Sequence, residues 1–582
     1  MNINEIIIEG FRNFEYLKIK LNKLTVLLGS NDTGKSNFLK AIQLVLHNDS
    51  NLLISKRLNE FDFNNRIKDN FKKKLNEVQD IDEKWLKDNL PLVKISINFK
   101  FDFSNEIDKA LLGKIIDANT IKCDTNDITQ SETKYISYLY CANLSKSYDI
   151  KNLLLNWKEN GIFNFSLLLD YYDYSILIEE SNNKIDSDTY NNLICQLIPA
   201  ERDNFSANSS SKSVSSLTKI IIDNITVDDR NKIDLAYQNL FNEIKKIKSF
   251  KSIYNVNAIN EIDNLQDFID SIELKPLLNR YQSLLSNVNL SYGDNMMFQE
   301  GLGYRNIIYL LTFLGYYCKK ADNTSFNALL LEEPEAHLSP DNLALLTSFI
   351  NNKFKCNSSN YNQLIITTHS NYLIDKCQLS DVVVLCNNFT AVNFADEHTI
   401  NFDYIQKIPH HDMLDFLFCK SVILVEGITE EIFIQSVLEK KFFDHVNNIR
   451  IIPVLHKGCH EYVKIWLKIH EKDNDYKLGI VHDYDNHIND KMKYEDYNEQ
   501  YKNIKTVTTK NYTFEDDFLC EDSNLHVMMA ILETQNYKET LEKMKNDKGS
   551  YIVTAVEKID ELVIPEYLIP LFNFFNLKGL KR

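Results

Sequence analysis

The sequence predicts an α/β protein built as two successive units. Three observations point there. Apolar runs of strand length alternate with segments of helical period in two stretches, about 296–400 and from about 415 onward. A glycine-containing turn, GSNDTGKS (29–36), joins an apolar strand to a helix near the N-terminus. Acidic residues fall where apolar strands stop, at LLLEEP, SVILVEG and LGIVHDYD. In an open parallel sheet, that end of the strands forms the ligand crevice.

The elements follow in order. The first 45 residues read as strand, turn, strand, loop, helix, through INEIIIEGF, FEYLKIKL, KLTVLLG and SNFLKAIQLVL. Residues 56–90 are charged, as helix or loop. LVKISINFKFDF (92–103) alternates strictly, the pattern of a half-buried strand. Strand-like and helical stretches mix from 104 to 200 and close on ICQLIPAERD. SANSSSKSVSSL (206–217) reads as an exposed linker, and 218–290 as polar helix. The second α/β unit runs SVILVEG, helix, IRIIPVL, helix, YKLGIVHDYD and IKTVTTKNYTFEDDF.

Composition narrows the function. With 582 residues the length prior is about three to five domains. Apolar residues at 44% and charged residues at 25% exclude global disorder. A net charge of −17 argues against a basic nucleic-acid coat, but not against an enzyme whose site is neutralised by cations. The ten cysteines are scattered with no CxxC, which argues against a zinc ribbon and fits a reduced compartment. No secretory leader pattern and no run near twenty apolar residues is present, so a cytoplasmic protein without a membrane span is expected.

GSNDTGKS matches GxxxxGK[ST] in the strand-to-helix context that the motif requires. Backbone N–H groups of such a loop wrap phosphate oxygens at a helix N-terminus. Asn31 and Gly34 belong to the turn, Lys35 would reach the β/γ-phosphates, and Ser36 would ligate Mg²⁺. Hydrolysis also needs an acid for the magnesium and one to orient water. Glu332 and Glu333 stand where these belong. His369 ends the next apolar strand, placed to sense a γ-phosphate. Gly301, Gly303 and Arg305 open a helix in a chain with only 14 glycines, which reads as a second anion-binding turn.

Carboxylates mark the last unit. Glu426 ends SVILVEG, with Glu430 and Glu431 in the helix that follows. Asp483 and Asp485 end LGIVHDYD, and Glu515 with Asp516 follow VTTKNYTF. Carboxylates gathered at strand ends repel one another unless hard cations compensate. Two Mg²⁺ or Mn²⁺ ions would activate water for phosphodiester hydrolysis. Glu430 and Glu431 fit a helix N-terminus as well as a metal site. Asp516 and Asp517 fit a solvated turn.

The series GFRNF, GSNDTGKS, GLGYRN, LLLEEPEAHL, TTHS resembles the ABC-type ATPase heads of RecF and the SMC proteins. The resemblance implies ATP sandwiched between two heads, with Gly301, Gly303 and Arg305 of one capping the nucleotide on the other. The turn here reads EGLGYRN where that group carries LSGGQ. The pattern VEG followed by DxD resembles the TOPRIM domain of topoisomerases, primases and small nucleases. An ABC-type head followed by TOPRIM on one chain is similar to OLD-family nucleases, which include components of the Gabija and retron antiphage systems. PAERD (199–203) adds to that likeness.

The resemblance implies these expectations. Residues 1–206 form the first part of the head, 207–295 a helical insertion for dimerisation, 296–410 the second part of the head, and 411–582 a Rossmann-like TOPRIM domain. Glu426, Glu430, Asp483, Asp485 and Glu515 bind two Mg²⁺ or Mn²⁺ ions, and Lys548 opposes transition-state charge. The activity is nucleotide-regulated, metal-dependent cleavage of DNA in antiphage defence. A homodimer or larger homo-oligomer is implied, alongside a helicase or a retron reverse transcriptase with its nucleic acid. Two alternatives stand beside it: a TOPRIM ribonuclease acting on tRNA, and an ATP-driven DNA-binding switch without cleavage.

Overall fold

The structure, a computed structural model, describes residues 1–48, 56–102, 106–115, 131–200, 225–246, 291–292, 295–296, 299–320, 326–355, 362–397, 400–401, 405, 413–443, 448–454, 459–471, 473–484, 488–546 and 549–577. The Ser-rich 206–217 segment and most of the 207–295 insertion lie outside these residues. Within the insertion, Val227–Lys246 is a helix.

Two sheets make the first unit. Six strands pair antiparallel in the order Phe14–Lys20, Asn2–Phe11, Val93–Asp102, Ser131–Ala142, Tyr172–Ile178 and Asn183–Lys184. Register follows the apolar alternation: Ile6 faces Ile97, which faces Ile136, and all three are buried. A seven-stranded sheet runs Ala391–Asn393, Val382–Leu385, Leu24–Gly29, Asn362–Thr367, Phe326–Glu332, Leu193–Ile198 and His47–Asn48. It is parallel except at its Ala391–Asn393 edge. Its inner strands are covered on both faces and are therefore continuous apolar runs rather than alternating ones.

The helix Lys35–Val45 lies between the two sheets. Phe38, Leu39, Ile42 and Val45 recur at helical spacing and are buried in a core shared with Leu27, Ile95, Ile97 and Leu330. Each large side chain fully buried here contributes roughly 1.5–3 kcal/mol. The charged stretch 56–90 holds two helices, Asn65–Glu77 capped by Asn64 and Glu83–Asn89 capped by Asp82.

Lys56 closes the C-terminal end of the Lys35–Val45 helix. Its ammonium donates to the Leu44 and Leu46 carbonyls at 2.8 and 3.0 Å. Burial pushes its pKa down from 10.5 to about 8. Between those values the unfolded chain holds a proton that the folded chain has released, so stability from Lys56 rises with pH. Lys56→Met should remove that rise. Comparing urea midpoints of the two proteins at pH 7 and pH 9.5 checks it, and parallel pH profiles would contradict it.

The second unit is a four-stranded parallel sheet in the order Arg450–Pro453, Ser421–Val425, Lys477–His482 and Ile504–Thr508. Ser421–Val425 precedes both of its neighbours in sequence. That strand connects onward to Arg450–Pro453 on one side, and Lys477–His482 connects to Ile504–Thr508 on the other, so the direction of winding reverses between these two neighbours, where open parallel sheets take ligands at their carboxyl ends. The units share an apolar core: Val26, Leu28, Val382 and Val384 pack with Phe416, Leu417, Val422, Trp466 and Leu478. No helix among the described residues is long and apolar enough to cross a membrane.

Candidate functional site

The phosphate loop is shaped by backbone that only certain residues tolerate. Gly34 has φ 101°, and a Cβ there would lie 2.2 Å from Asn13 Nδ2. Asp32 also adopts positive φ, at 69°. Lys35 opens the helix, and its ammonium donates to the carbonyls of Gly29 at 2.8 Å and Ser30 at 3.0 Å. A phosphate-loop lysine is expected on an exposed turn, but Lys35 is buried. That burial lowers its pKa, against the pull of Glu333 and Glu335.

The acidic strand end meets the loop directly. Ser36 Oγ donates to Glu332 Oε1. Glu333 leaves the strand at φ 42°, its N–H donating to Thr367 O at 2.9 Å. This strained turn holds Glu333 Oε1 3.6 Å from His369 Nε2. Burial and then Lys35 lower the His369 pKa, so the ring is neutral at physiological pH.

Two groups here escaped the sequence reading. Glu335 is largely buried, and its Oε1 accepts from Thr368 Oγ1 at 2.8 Å and His369 N at 2.6 Å. It ties the ends of Phe326–Glu332 and Asn362–Thr367 together, and burial raises its pKa. The third acid of EEPE was the available signal. The second group is Arg12, at φ 49° in GFRNF. Its guanidinium donates to buried Asp62 at 2.9 Å and to Asn37 Oδ1 at 2.6 Å. Asn37 in turn donates to Asn13 Oδ1 at 2.9 Å. A cleft of about 380 Å³ opens there, lined by Arg12, Asn13, Tyr16, Arg66 and Phe389. Asn13 of its lining also lies against Gly34 of the phosphate loop.

Gly301 lies exposed just before the helix Leu302–Lys320, which carries Gly303 and Arg305. A Cβ on Gly303 would stand 3.0 Å from His337 O, and Asn306 Nδ2 donates to Ala336 O at 3.3 Å. This turn thus packs on the segment that follows the acid pair.

At the second sheet, four carboxylates gather around three strand ends. Glu426 Oε1 accepts from His482 Nδ1 and from Asp483 N at 3.2 Å. Glu430 is buried in the first turn of Ile428–Lys441, 3.1 Å from where a Cβ on Gly427 would sit. Glu515 accepts from Thr513 Oγ1 at 2.7 Å and Tyr551 OH at 3.2 Å. Asp483 follows Lys477–His482, fixed through Thr509, which donates its N–H to His482 O at 3.1 Å and accepts from Tyr484 N at 2.9 Å. The His482 contact was not evident from sequence. Asp485 and Lys548 lie outside the described residues.

Asp516 and Asp517 correct the solvated-turn reading, because both are buried. Asp517 accepts from the backbone N–H groups of Lys510 and Asn511 at 2.5 and 3.0 Å. Asp516 pairs with Lys545 at 2.9 Å. They shape the loop ahead of Glu515.

The donor set suits a hard divalent cation, being all carboxylate. Burial, with Glu515 and Glu426 nearby, pushes the Glu430 pKa up to about 7. Burial is the larger cause, and the two neighbouring carboxylates add to it. Among the described residues, no three His, Cys, Asp or Glu side chains converge closely enough to hold an ion.

Comparisons with known proteins agree with these two units. The family of the AAA ATPase domain matches residues 1–374, and the TOPRIM domain described as overcoming lysogenization defect protein-like matches 417–485. The chain is 24% identical over 481 residues to Endonuclease GajA of Bacillus cereus strain HuB5-5, covering 73% of this chain and 66% of that protein. Endonuclease GajA of strain VD045 is 39% identical over 64 residues, 11% of this chain and 10% of that one. The chain therefore spans just under two thirds of the first relative and a tenth of the second. An SMC head bound to the C-terminal winged-helix domain of ScpA overlaps 68% of this chain and 99% of its own, at 14% identity and a TM-score of 0.32. The assignment rests on the family matches and not on that overlap. With 374 of 582 residues matched to it, this chain belongs to the AAA ATPase domain family and carries an OLD-like TOPRIM domain behind that domain.

Proposed function

We propose that this chain is a nucleotide-regulated, divalent-metal-dependent DNA endonuclease of the OLD family, acting in antiphage defence in the cytoplasm. One observation carries the reading: Glu426, Glu430, Asp483 and Glu515 stand at the carboxyl ends of the parallel TOPRIM strands, Glu430 and Glu515 of them buried. The endonuclease name of the relatives supports it.

In this reading Lys35 and the loop N–H groups bind the triphosphate, and Ser36 with Glu332 holds its Mg²⁺. Glu333 orients water, and neutral His369 contacts the γ-phosphate. Gly301, Gly303 and Arg305 cap the nucleotide of a second copy, which makes the protein a homodimer or larger homo-oligomer. Glu426, Asp483, Asp485, Glu515 and Glu430 would hold Mg²⁺ or Mn²⁺. Such ions supply an activated water and stabilise the leaving oxygen. His482 keeps the Glu426 carboxylate turned toward Asp483. Lys548 opposes charge on the scissile phosphate. A second defence component, a helicase or a reverse transcriptase with its nucleic acid, supplies the trigger.

The test is incubation of purified protein with plasmid, linear DNA and tRNA, with Mg²⁺ or Mn²⁺, with and without ATP. Plasmid nicking or linearisation that EDTA abolishes is expected. Cleavage of tRNA alone would make the protein a ribonuclease. Binding without cleavage under every condition would make it an ATP-driven switch.

A further inference from the structure

The phosphate loop and the TOPRIM sheet are joined by a short chain of hydrogen bonds. Ser30, second residue of the loop, donates through Oγ to Asn387 Oδ1 at 2.8 Å. Asn387 donates through Nδ2 to Tyr476 OH at 2.6 Å. Tyr476 is buried and stacks on His470, with ring centroids 3.9 Å apart and planes 14° apart. The next residue, Lys477, opens the strand that ends at His482, directly before Asp483. We propose that Ser30, Asn387 and Tyr476 form the link through which nucleotide at the ATPase domain changes the output of the TOPRIM carboxylate site. This rests on the nuclease reading above and names how that site is regulated.

The chemistry of each member suits a relay. An Asn amide has a distinct donor end and acceptor end, and here both are engaged. If Asn387 turns or shifts, it cannot keep Ser30 and Tyr476 together. Its position is set by a tight turn, with Phe389 N donating to Cys386 O and Cys386 N to Thr390 O, both at 2.9 Å. Motion therefore enters from Ser30. The Ser30 carbonyl accepts from Lys35 Nζ at 3.0 Å and Thr33 Oγ1 at 2.9 Å. Lys35 has three protons to place. Drawing that ammonium toward phosphate oxygens takes donors from the Gly29 and Ser30 carbonyls, so the loop resettles around Ser30. At the far end, the strand from Lys477 to His482 is parallel-paired on both sides and transmits displacement as a rigid element. A cleft of about 200 Å³, lined in part by Phe418, Ile469 and Asp473, flanks Asn387 and Tyr476 and gives them room to move.

The experiment measures coupling, not activity alone. Wild type, Tyr476→Phe, Asn387→Ala and the double variant are assayed for plasmid cleavage with and without ATP, and for ATP affinity by calorimetry. Tyr476→Phe removes one hydroxyl and keeps the stacked ring. The wild type should show a nucleotide effect on the order of 5- to 150-fold, of either sign. Each single variant should keep ATP affinity and nucleotide-free cleavage close to wild type while its ATP effect falls toward one. The double variant should lose nothing further, because one chain is already broken. An undiminished ATP effect in both single variants overturns the link, as does a wild type that cleaves indifferently to ATP. If wild type cleaves nothing, the nuclease reading fails, and the link is judged by amide hydrogen exchange over Lys477–His482. Exchange there should change on ATP binding in wild type and not in Tyr476→Phe. An equal change in both proteins overturns it.

Discussion

Asp483→Ala and Glu426→Ala are each expected to cut plasmid cleavage by roughly 10²- to 10³-fold, the loss typical of removing one preorganised electrostatic partner. ATP affinity should not follow, because Lys35 and Ser36 open a helix that follows a strand of the other sheet. Glu426 has a second duty, since His482 and the Asp483 N–H both donate to its Oε1. Glu426→Gln keeps the acceptor oxygen and the shape but removes the charge. Its loss should approach that of Glu426→Ala if charge toward the cations is what counts. Full-rate cleavage by Asp483→Ala would place the nuclease centre elsewhere in the chain. Retained cleavage by Glu426→Gln alone would reduce Glu426 to a scaffold for Asp483.

Lys35→Ala is expected to weaken ATP binding severely. Each hydrogen bond to a charged group contributes roughly 1.5–3 kcal/mol, so two lost phosphate contacts amount to at least a hundredfold in affinity. Burial of Lys35 makes a control necessary, because alanine also empties the volume that its buried side chain fills. Lys35→Met fills similar volume without a charge and should lose as much affinity. Calorimetric affinity equal to wild type in both variants would sink the phosphate-loop assignment. A drop in thermal stability confined to Lys35→Ala would report the lost packing.

The two-unit α/β architecture was legible because its signals are local. A strand, a glycine turn and a helix follow one another within 24–45, and the acids at 332, 426 and 483 each terminate an apolar run in plain view. What escaped depends on pairs far apart in the chain. His482 meets Glu426 across 56 residues, and Ser30 meets Asn387 across 357. Nothing in the neighbourhood of either residue encodes its partner. Burial of Lys35, Asp516 and Asp517 was hidden for a related reason: polarity suggests exposure, and only the surrounding fold supplies the donors and acceptors that permit otherwise. The six-stranded antiparallel sheet was half visible, since Val93–Asp102 alternates cleanly but Ser131–Ala142 mixes tyrosine and polar residues.

The strand Leu24–Gly29, buried at all six positions, has both of its neighbours, Asn362–Thr367 and Val382–Leu385, far downstream. A ribosome adds roughly 5–20 residues per second, so this strand waits on the order of 20 to 70 s for its first partner. During that interval LTVLLG is an apolar edge with nothing to pair against, and such edges recruit other chains. Slower, cooler expression or a co-expressed holdase should raise the soluble yield. Fragments that stop before residue 362 should precipitate, and dissection of this protein should cut between its two units rather than inside the first.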